Sequence, residues 1–158
     1  MGTAPGCNIL NNTRESKQPR GIETERKVNI EEKSEFFTIE ADPRTSQVRI
    51  VLRGLWDEVI TLAFKQALLV TISKMIAAGA ALGTYRTLID LRDQGILPQV
   101  VAELAKDLAT GPGAASERIA VIVVNTLHKL QLTRIASVEQ LKVFLDDAEA
   151  EAWVFASV

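Results

Sequence analysis

The stretch Ile119-Ala120-Val121-Ile122-Val123-Val124 decides the fold of this chain, because it is the strongest central-strand pattern in the sequence. A short, continuous run of apolar and β-branched residues is typical of a strand that is buried on both faces of a parallel sheet. Thr87-Leu88-Ile89-Asp90-Leu91 is a second run of this kind, and charged residues follow it. The two runs predict strands of a largely parallel sheet.

Two further strands are predicted nearer the N-terminus. Phe36–Glu40 and Val48–Arg53 are rich in aromatic and β-branched residues, and a turn cluster, Asp42–Ser46, lies between them. Because the connection is short, these two strands should form an antiparallel hairpin. Leu141–Leu145 is predicted to be the fifth and last strand.

Helices are predicted between and after these strands. Asp57 has the chemistry of an N-cap for a long first helix, and Pro98 suits the first turn of the second. Strands that alternate with helices indicate an α/β domain with right-handed crossovers. We therefore predict a mixed, mostly parallel five-stranded sheet with an N-terminal antiparallel hairpin and about four helices, over residues 57–78, 98–108, 125–135 and 146–153.

Residues 1–34 differ in composition from the rest of the chain. They combine prolines, asparagines and alternating charges with few apolar residues. Such a segment cannot bury enough surface to offset the entropy lost on ordering. We expect a polar, disordered tail over residues 1–34, with at most a short helix near Thr24–Glu32, and a single domain over residues 35–158.

The composition argues against several classes of partner. The net charge is -2 and the charges are interspersed, so neither nucleic acid nor an anionic membrane is an expected partner. No run of about 18 apolar residues is present, so we predict no membrane insertion. The single cysteine, Cys7, excludes an intrachain disulfide and favours a reducing, cytoplasmic location.

Catalytic patterns are weak throughout the sequence. His128 has neither a second histidine or cysteine for a metal site nor a nucleophilic serine in a recognisable motif. The glycine-rich stretches Gly79–Gly83 and Gly111–Gly113 follow predicted helices, which is typical of C-caps rather than phosphate-binding loops. We predict a protein that is not an enzyme and that needs no cofactor and no metal.

Polar side chains should gather at the carboxyl edge of the predicted sheet, where open α/β sheets bind their ligands. Such a cluster could hold Mg²⁺ or, through its arginine, a phosphate group. The simpler interpretation is that Asp57 caps a helix, that Asp90 or Arg92 ends a strand and that the others are solvated, and we favour it because function depends on site geometry. The candidate binding residues are Asp57, Asp90, Arg92, Asp93, Gln94 and Asn125.

The predicted first helix is apolar around most of its circumference. Glu58, Thr61 and Lys65 lie on one face in the early turns of this helix, but apolar residues occupy the same face further along. A helix of this kind should be covered on most sides, by the tail, a protein partner, a second copy of the chain or a small apolar ligand. Some excess apolar surface without any partner is the remaining alternative. The candidate interface residues are Leu68, Leu69, Ile72 and Ile76.

The region from about Phe36 to Val158 resembles STAS-type domains, and within them the SpoIIAA-like group. Val51-Leu52-Arg53-Gly54-Leu55-Trp56-Asp57 is similar to the turn by which that group passes from a strand into its first helix. Leu88-Ile89-Asp90-Leu91 resembles the strand that carries its Asp-Leu step. The other similar stretches are Glu117–Ile122, with an Arg-Ile-Ala-Val core, Leu141–Phe144 and Glu149–Trp153.

The resemblance implies interaction rather than catalysis. Anti-sigma-factor antagonists of this fold bind a kinase-like anti-sigma factor, and phosphorylation of a serine in an Asp-Ser-Ser-Gly-type motif switches them. The loop Arg92-Asp93-Gln94-Gly95 has no hydroxyl side chain at the corresponding place, so this switch is not carried over. We expect a regulatory or protein-interaction module, with a carrier or sensor of a small, lipid-like apolar ligand as the alternative.

Overall fold

The computed structural model describes residues 29–94, 116–136 and 139–156, together with Val100, Glu103, Leu104, Lys106 and Asp107. Within these residues, six strands form one sheet in the order β1-β2-β3-β4-β5-β6, and three helices flank it. Along the chain the elements are β1 (Ile30–Lys33), β2 (Phe37–Asp42), β3 (Gln47–Gly54), α1 (Glu58–Ala77), β4 (Tyr85–Gln94), β5 (Ser116–Ile122), α2 (Thr126–Ile135), β6 (Leu141–Phe144) and α3 (Asp147–Val154).

The hairpin and the parallel strands confirm the predicted mixed sheet. β2 pairs antiparallel with β3, so that Ile39 lies opposite Ile50. β3, β4, β5 and β6 are parallel neighbours, and Val121 of the predicted central strand lies opposite Ile89 on one side. The helices that join these parallel strands are the crossovers that such a topology requires.

Strand β1 corrects the prediction of five strands. Ile30–Lys33 pairs antiparallel with β2, although we expected a polar tail up to residue 34 and a short helix reaching Glu32. A strand is indicated by alternating apolar and polar residues, and the single apolar residue Ile30 does not make such a pattern. Backbone pairing with β2 and the contact of Glu32 with Lys74 of α1, at 3.3 Å, stabilise it. Residues 1–28 lie outside the described residues.

Strand β4 is longer than predicted at its carboxyl end. We expected a loop over Arg92–Gly95, but Arg92, Asp93 and Gln94 continue the strand. Asp93 pairs with Arg53 and Gln94 with Gly54, after an irregularity in the register. The parallel neighbour β3 therefore supplies backbone hydrogen bonds to residues whose own strand propensity is low. Gly95 lies outside the described residues.

Side-chain caps begin two of the helices, and that of Asp57 was predicted while that of Asn125 was not. The carboxylate of Asp57 accepts a hydrogen bond from the Ile60 N–H at 2.9 Å and begins α1, and Asn125 accepts one from the His128 N–H at 2.9 Å and begins α2. α3 begins after Asp146, whose side chain makes no capping hydrogen bond, and it confirms the helix predicted over residues 146–153.

The second predicted helix, over residues 98–108, falls largely outside the described residues. Its five described positions are all helical, and Pro98 is not among them. Leu104 is buried there, in the core on the α1 side of the sheet. The prediction of four helices is therefore tested for three of them, which the structure confirms as α1, α2 and α3.

The sheet separates two apolar clusters. On the first face, α1 covers β1 and β2 and contributes Phe64 and Met75 to the larger cluster, which also holds Leu132 of α2. On the second face, α3 packs over β4, β5 and β6, around Ile122 and Val154. Both faces of the central strands are thus buried, which explains their nearly unbroken apolar sequence.

Three arginines on neighbouring strands hold the C-terminal end of α3. Arg118 donates to the Trp153 carbonyl at 2.8 Å, Arg86 donates to the Ala156 carbonyl, and Arg49 contacts the Glu151 carboxylate at 2.9 Å. The last carbonyls of a helix lack partners within the helix and carry partial negative charge, so cations stabilise them.

Candidate functional site

A groove with a volume of about 490 Å³ opens at the carboxyl end of β3. It lies between the first two turns of α1 and the helical positions around Glu103, and Leu52 lines it from the strand. A volume of this size falls within the range of small-molecule sites, and the position matches the sheet edge at which α/β proteins bind ligands. The groove is the strongest candidate for a ligand site in the described part of the chain.

Aromatic rings form one wall of the groove. The rings of Trp56 and Phe64, which line the groove, lie 5.3 Å apart. Phe37, which is not part of the lining, packs its ring 5.3 Å from that of Phe64 in an edge-to-face arrangement. Edge-to-face and tilted arrangements are favourable for aromatic side chains. The Trp56 indole N–H donates to the Arg53 carbonyl at 2.9 Å and so holds the ring in place. The apolar surface of the groove is preformed.

The turn that places Trp56 depends on Gly54. Its φ is +77°, which L side chains rarely adopt. A Cβ at this position would also lie 3.3 Å from the Phe36 ring. Glycine therefore permits both the sharp exit from β3 and the close approach of Phe36, and these bring Trp56 and Asp57 to the groove.

The sequence analysis considered a metal or phosphate site among the polar edge residues. In the described residues, no group of three histidine, cysteine, aspartate or glutamate side chains could hold a metal ion. Asp57 caps α1 and lines the groove, and Asn125 caps α2. His128, exposed in the first turn of α2, donates its N–H to that cap.

Asp90 and Arg92 are neighbours, and they satisfy each other. Arg92 donates to Asp90 through Nε at 3.0 Å, through Nη2 at 2.8 Å and through its backbone N–H at 3.0 Å. Burial acts to raise the pKa of Asp90, but these hydrogen bonds and the positive charge of Arg92 outweigh it and lower the pKa. Both groups are therefore charged near neutral pH, and each is already paired.

Two more carboxylates surround this pair. Asp147, at the start of α3, lies 3.6 Å from Arg92 Nη2. The pKa of Arg92 is raised, mainly by the hydrogen bond that it donates to Asp90, and the negative charges of Asp147 and the exposed Asp93 contribute to this shift. Asp147 was not predicted to join this cluster, because it comes 55 residues after Arg92 in the chain. Nothing in the described structure places the Gln94 side chain. The other five candidate edge residues thus form one ion-pair cluster and two separate helix caps.

The candidate interface residues on α1 divide between its two faces. Leu68 and Ile72 are buried in the core together with Phe64 and Met75, so assigning them to an exposed interface is wrong. Leu69 and Ile76 are exposed, at 61% and 44%. The sequence could not separate the two faces because both are apolar, and only packing on β1 and β2 decides which one is covered.

An apolar stripe runs along the outward face of α1. Its six members follow one another at spacings of three and four residues, which is the spacing of core positions in a coiled coil. Four of them are large apolar residues that are 44% to 75% exposed. We call this stripe the outer seam, and it consists of Val59, Leu62, Gln66, Leu69, Ser73 and Ile76.

The length and composition of α1 are sufficient for a membrane span, which differs from the sequence prediction. It is the one helix in the described part of the chain with these properties. Only 22% of the most apolar 18-residue stretch of α1 is buried, whereas a core helix of a soluble protein is mostly buried. The high hydropathy of α1 therefore comes from two apolar faces, of which the sheet covers one.

No family model and no curated protein matches the sequence. Among solved structures, an uncharacterized protein of the DUF3478 family from Shewanella loihica PV-4, described as having a SpoIIAA-like fold, is similar to this chain with a TM-score of 0.50 and 19% identity. The alignment covers 80% of this chain and 92% of that protein. Identity this low supports the fold and carries no activity across. The mixed sheet, its flanking helices and this similarity together show that the chain has a SpoIIAA-like fold.

Proposed function

We propose that this domain is a non-enzymatic interaction module that pairs with a second copy of itself through the outer seam of α1. The observation that carries the proposal is the exposed seam. Its opposite face is anchored, since Phe64 and Thr71 are buried against the sheet. The domain thus holds a rigid helix, about 30 Å long, with an apolar stripe turned outward.

The seam is suited to a partner helix of the same sequence. None of its six residues is charged, so pairing two copies places no buried charge between them. In an antiparallel pair centred on the middle of α1, Val59 of one copy would lie opposite Ile76 of the other, and Gln66 opposite Leu69. Every layer would then contain a large apolar residue, in the isologous contact that a two-fold axis produces.

The expected affinity is modest. Burying the exposed half of a Val, Leu or Ile side chain contributes about 1 kcal/mol, or about 8 kcal/mol for the eight large side chains of two seams. Association costs roughly 4–15 kcal/mol in lost freedom of motion. The net free energy of association is therefore at most about -4 kcal/mol, and we expect a weak, reversible dimer with a Kd of roughly 1 mM.

Sedimentation velocity of the full chain, from about 10 μM to about 1 mM, tests the proposal. The wild-type protein should shift from monomer to dimer as its concentration rises, and the double variant Leu69→Glu with Ile76→Glu should remain monomeric. Leu145→Glu is the matched control, because Leu145 is 44% exposed like Ile76 but lies before α3. A wild-type protein that stays monomeric, or a double variant that dimerises like the control, would contradict the proposal.

A second candidate function is a carrier or sensor of a small apolar ligand. The groove favours it, since Leu52, Trp56, Phe64 and Leu104 give it a mainly apolar lining. Native mass spectrometry of the purified chain, with thermal-shift measurements in the presence of alkyl alcohols, fatty acids and alkylamines, tests it. A co-purifying mass, or stabilisation that Val100→Asn at the groove abolishes, would support this function. The absence of both would count against it.

A further inference from the structure

The charges around the groove are unbalanced. Three carboxylates, Asp57, Glu58 and Glu103, line it together with one ammonium group, Lys65. The N-terminal end of α1 adds the equivalent of about half a positive charge, and Asp57 already meets it as the N-cap. The groove keeps a net charge of about -1.5 after that contribution.

Two basic side chains near the groove, Arg53 and Lys74, are directed elsewhere. Arg53 follows Leu52 on β3 and therefore points to the other face of the sheet, where it donates to the Ser34 and Glu35 carbonyls and to Thr38 Oγ1. Lys74 lies about 24 Å further along α1 than Glu58 and contacts Glu32. Neither residue neutralises the carboxylates of the groove.

The aromatic wall of the groove also favours a positively charged ligand. The ring of Trp56, half-buried and held by its hydrogen bond to the Arg53 carbonyl, lines the same groove as the three carboxylates. Indole faces attract organic cations because the ring carries negative charge density on its faces. An apolar body would contact Leu52, Phe64 and Leu104, while its positive group would lie near the carboxylates at the rim.

We infer that the groove binds organic cations with an apolar body, of the alkylammonium or arylammonium class, in preference to neutral or anionic molecules of the same shape. The inference rests on the second function proposed above and names the class of its ligand. It follows from the charge of the lining and from the aromatic wall, which are independent of the outer seam.

Three probes with the same octyl chain test the inference on the full chain: octylammonium, octanol and octanoate. Their affinities are measured by calorimetry, and the indole N–H resonance of Trp56 reports whether each probe occupies the groove. Octylammonium should bind most tightly, and its advantage should shrink as salt is added. Glu58→Gln and Glu103→Gln should each weaken octylammonium binding roughly two- to fivefold and leave octanol unaffected.

Glu149→Gln, which removes an exposed carboxylate of α3, is the matched control and should leave all three affinities unchanged. If octanol or octanoate binds at the Trp56 resonance as tightly as octylammonium, the inference is overturned while the apolar-ligand function stands. If none of the three probes shifts that resonance, both the inference and the apolar-ligand function fall.

Discussion

Both carboxylate oxygens of Asp90 are bound by the guanidinium of Arg92, two residues further along β4, at 3.0 and 2.8 Å. Such a two-point contact fixes the relative geometry of the two side chains. The pair also lies beside Asp147 and so joins the end of β4 to the start of α3. We interpret this cluster as structural, which agrees with the simpler of the two interpretations made from the sequence.

The Asp90–Arg92 pair predicts a specific pH dependence. Because the pKa of Asp90 is lowered in the folded protein, its contribution to stability is present above the usual aspartate value of 3.8 and is lost as the pH falls through the lower, folded value. The pair is partly exposed, so Asp90→Asn should reduce the free energy of unfolding by about 1 kcal/mol or less near neutral pH. Denaturant titrations should show this difference vanishing in strong acid. An undiminished difference there would contradict the assignment.

The arginine contacts at the end of α3 should stabilise its docking. Arg118→Met removes the hydrogen bond to the Trp153 carbonyl and should lower the free energy of unfolding by about 1.5–3 kcal/mol. Amide hydrogen exchange should also become faster in α3. Arg44→Met is the control, because Arg44 is exposed and lies 3.7 Å from Asp42, so its loss should change stability by about 0.5 kcal/mol or less. Equal effects of the two changes would refute this role of Arg118.

The hydroxyl of Tyr85 is buried, and it has no hydrogen-bond partner among the described residues. A buried polar group in this state lowers stability by about 1–3 kcal/mol. Tyr85→Phe should therefore raise the free energy of unfolding, and thermal denaturation measures the gain. Burial raises the pKa of Tyr85, so the wild-type protein should also lose stability above pH 10.0, and the variant should lack that contribution. A destabilised variant would show that the hydroxyl has a partner.

The turn at Gly54 should be less tolerant of a side chain than that at Gly79. Both residues have positive φ, which disfavours alanine by roughly 1–2 kcal/mol. A Cβ at Gly54 would crowd the Phe36 ring, whereas a Cβ at Gly79 would meet nothing within 4 Å in the described structure. Gly54→Ala should thus destabilise the domain more than Gly79→Ala in a denaturant titration, and only Gly54→Ala should shift the Trp56 indole resonance.

Local chemistry made the fold largely predictable. The run Ile119–Val124 indicates β5 because both of its faces are buried, and Asp57 indicates a helix start because its side chain caps its own backbone. β1 was not predictable, since its stability comes from pairing with β2 rather than from its own residues. The end of β4 was misjudged for the same reason, because β3 holds Asp93 and Gln94 in register.

The candidate sites were less predictable because they depend on packing between distant segments. Trp56, Phe64 and Leu104 converge on the groove from a turn, a helix and a second helical segment, and no sequence spacing relates the last of these to the others. On α1, both faces are apolar, so periodicity could not tell that Leu68 faces the sheet while Leu69 faces outward. The sequence predicted a helix that is apolar on most sides, and only packing on the sheet decided which side is covered.

Disulfide exchange at the outer seam tests the central claim most directly. In a Cys7→Ser background, Leu69→Cys places a thiol in the middle of the seam, and Leu145→Cys places one at an exposed position outside it. In a glutathione buffer, the seam variant should form a covalent dimer whose fraction rises with protein concentration, while the control remains largely monomeric. Equal dimer fractions for the two variants would contradict pairing through α1.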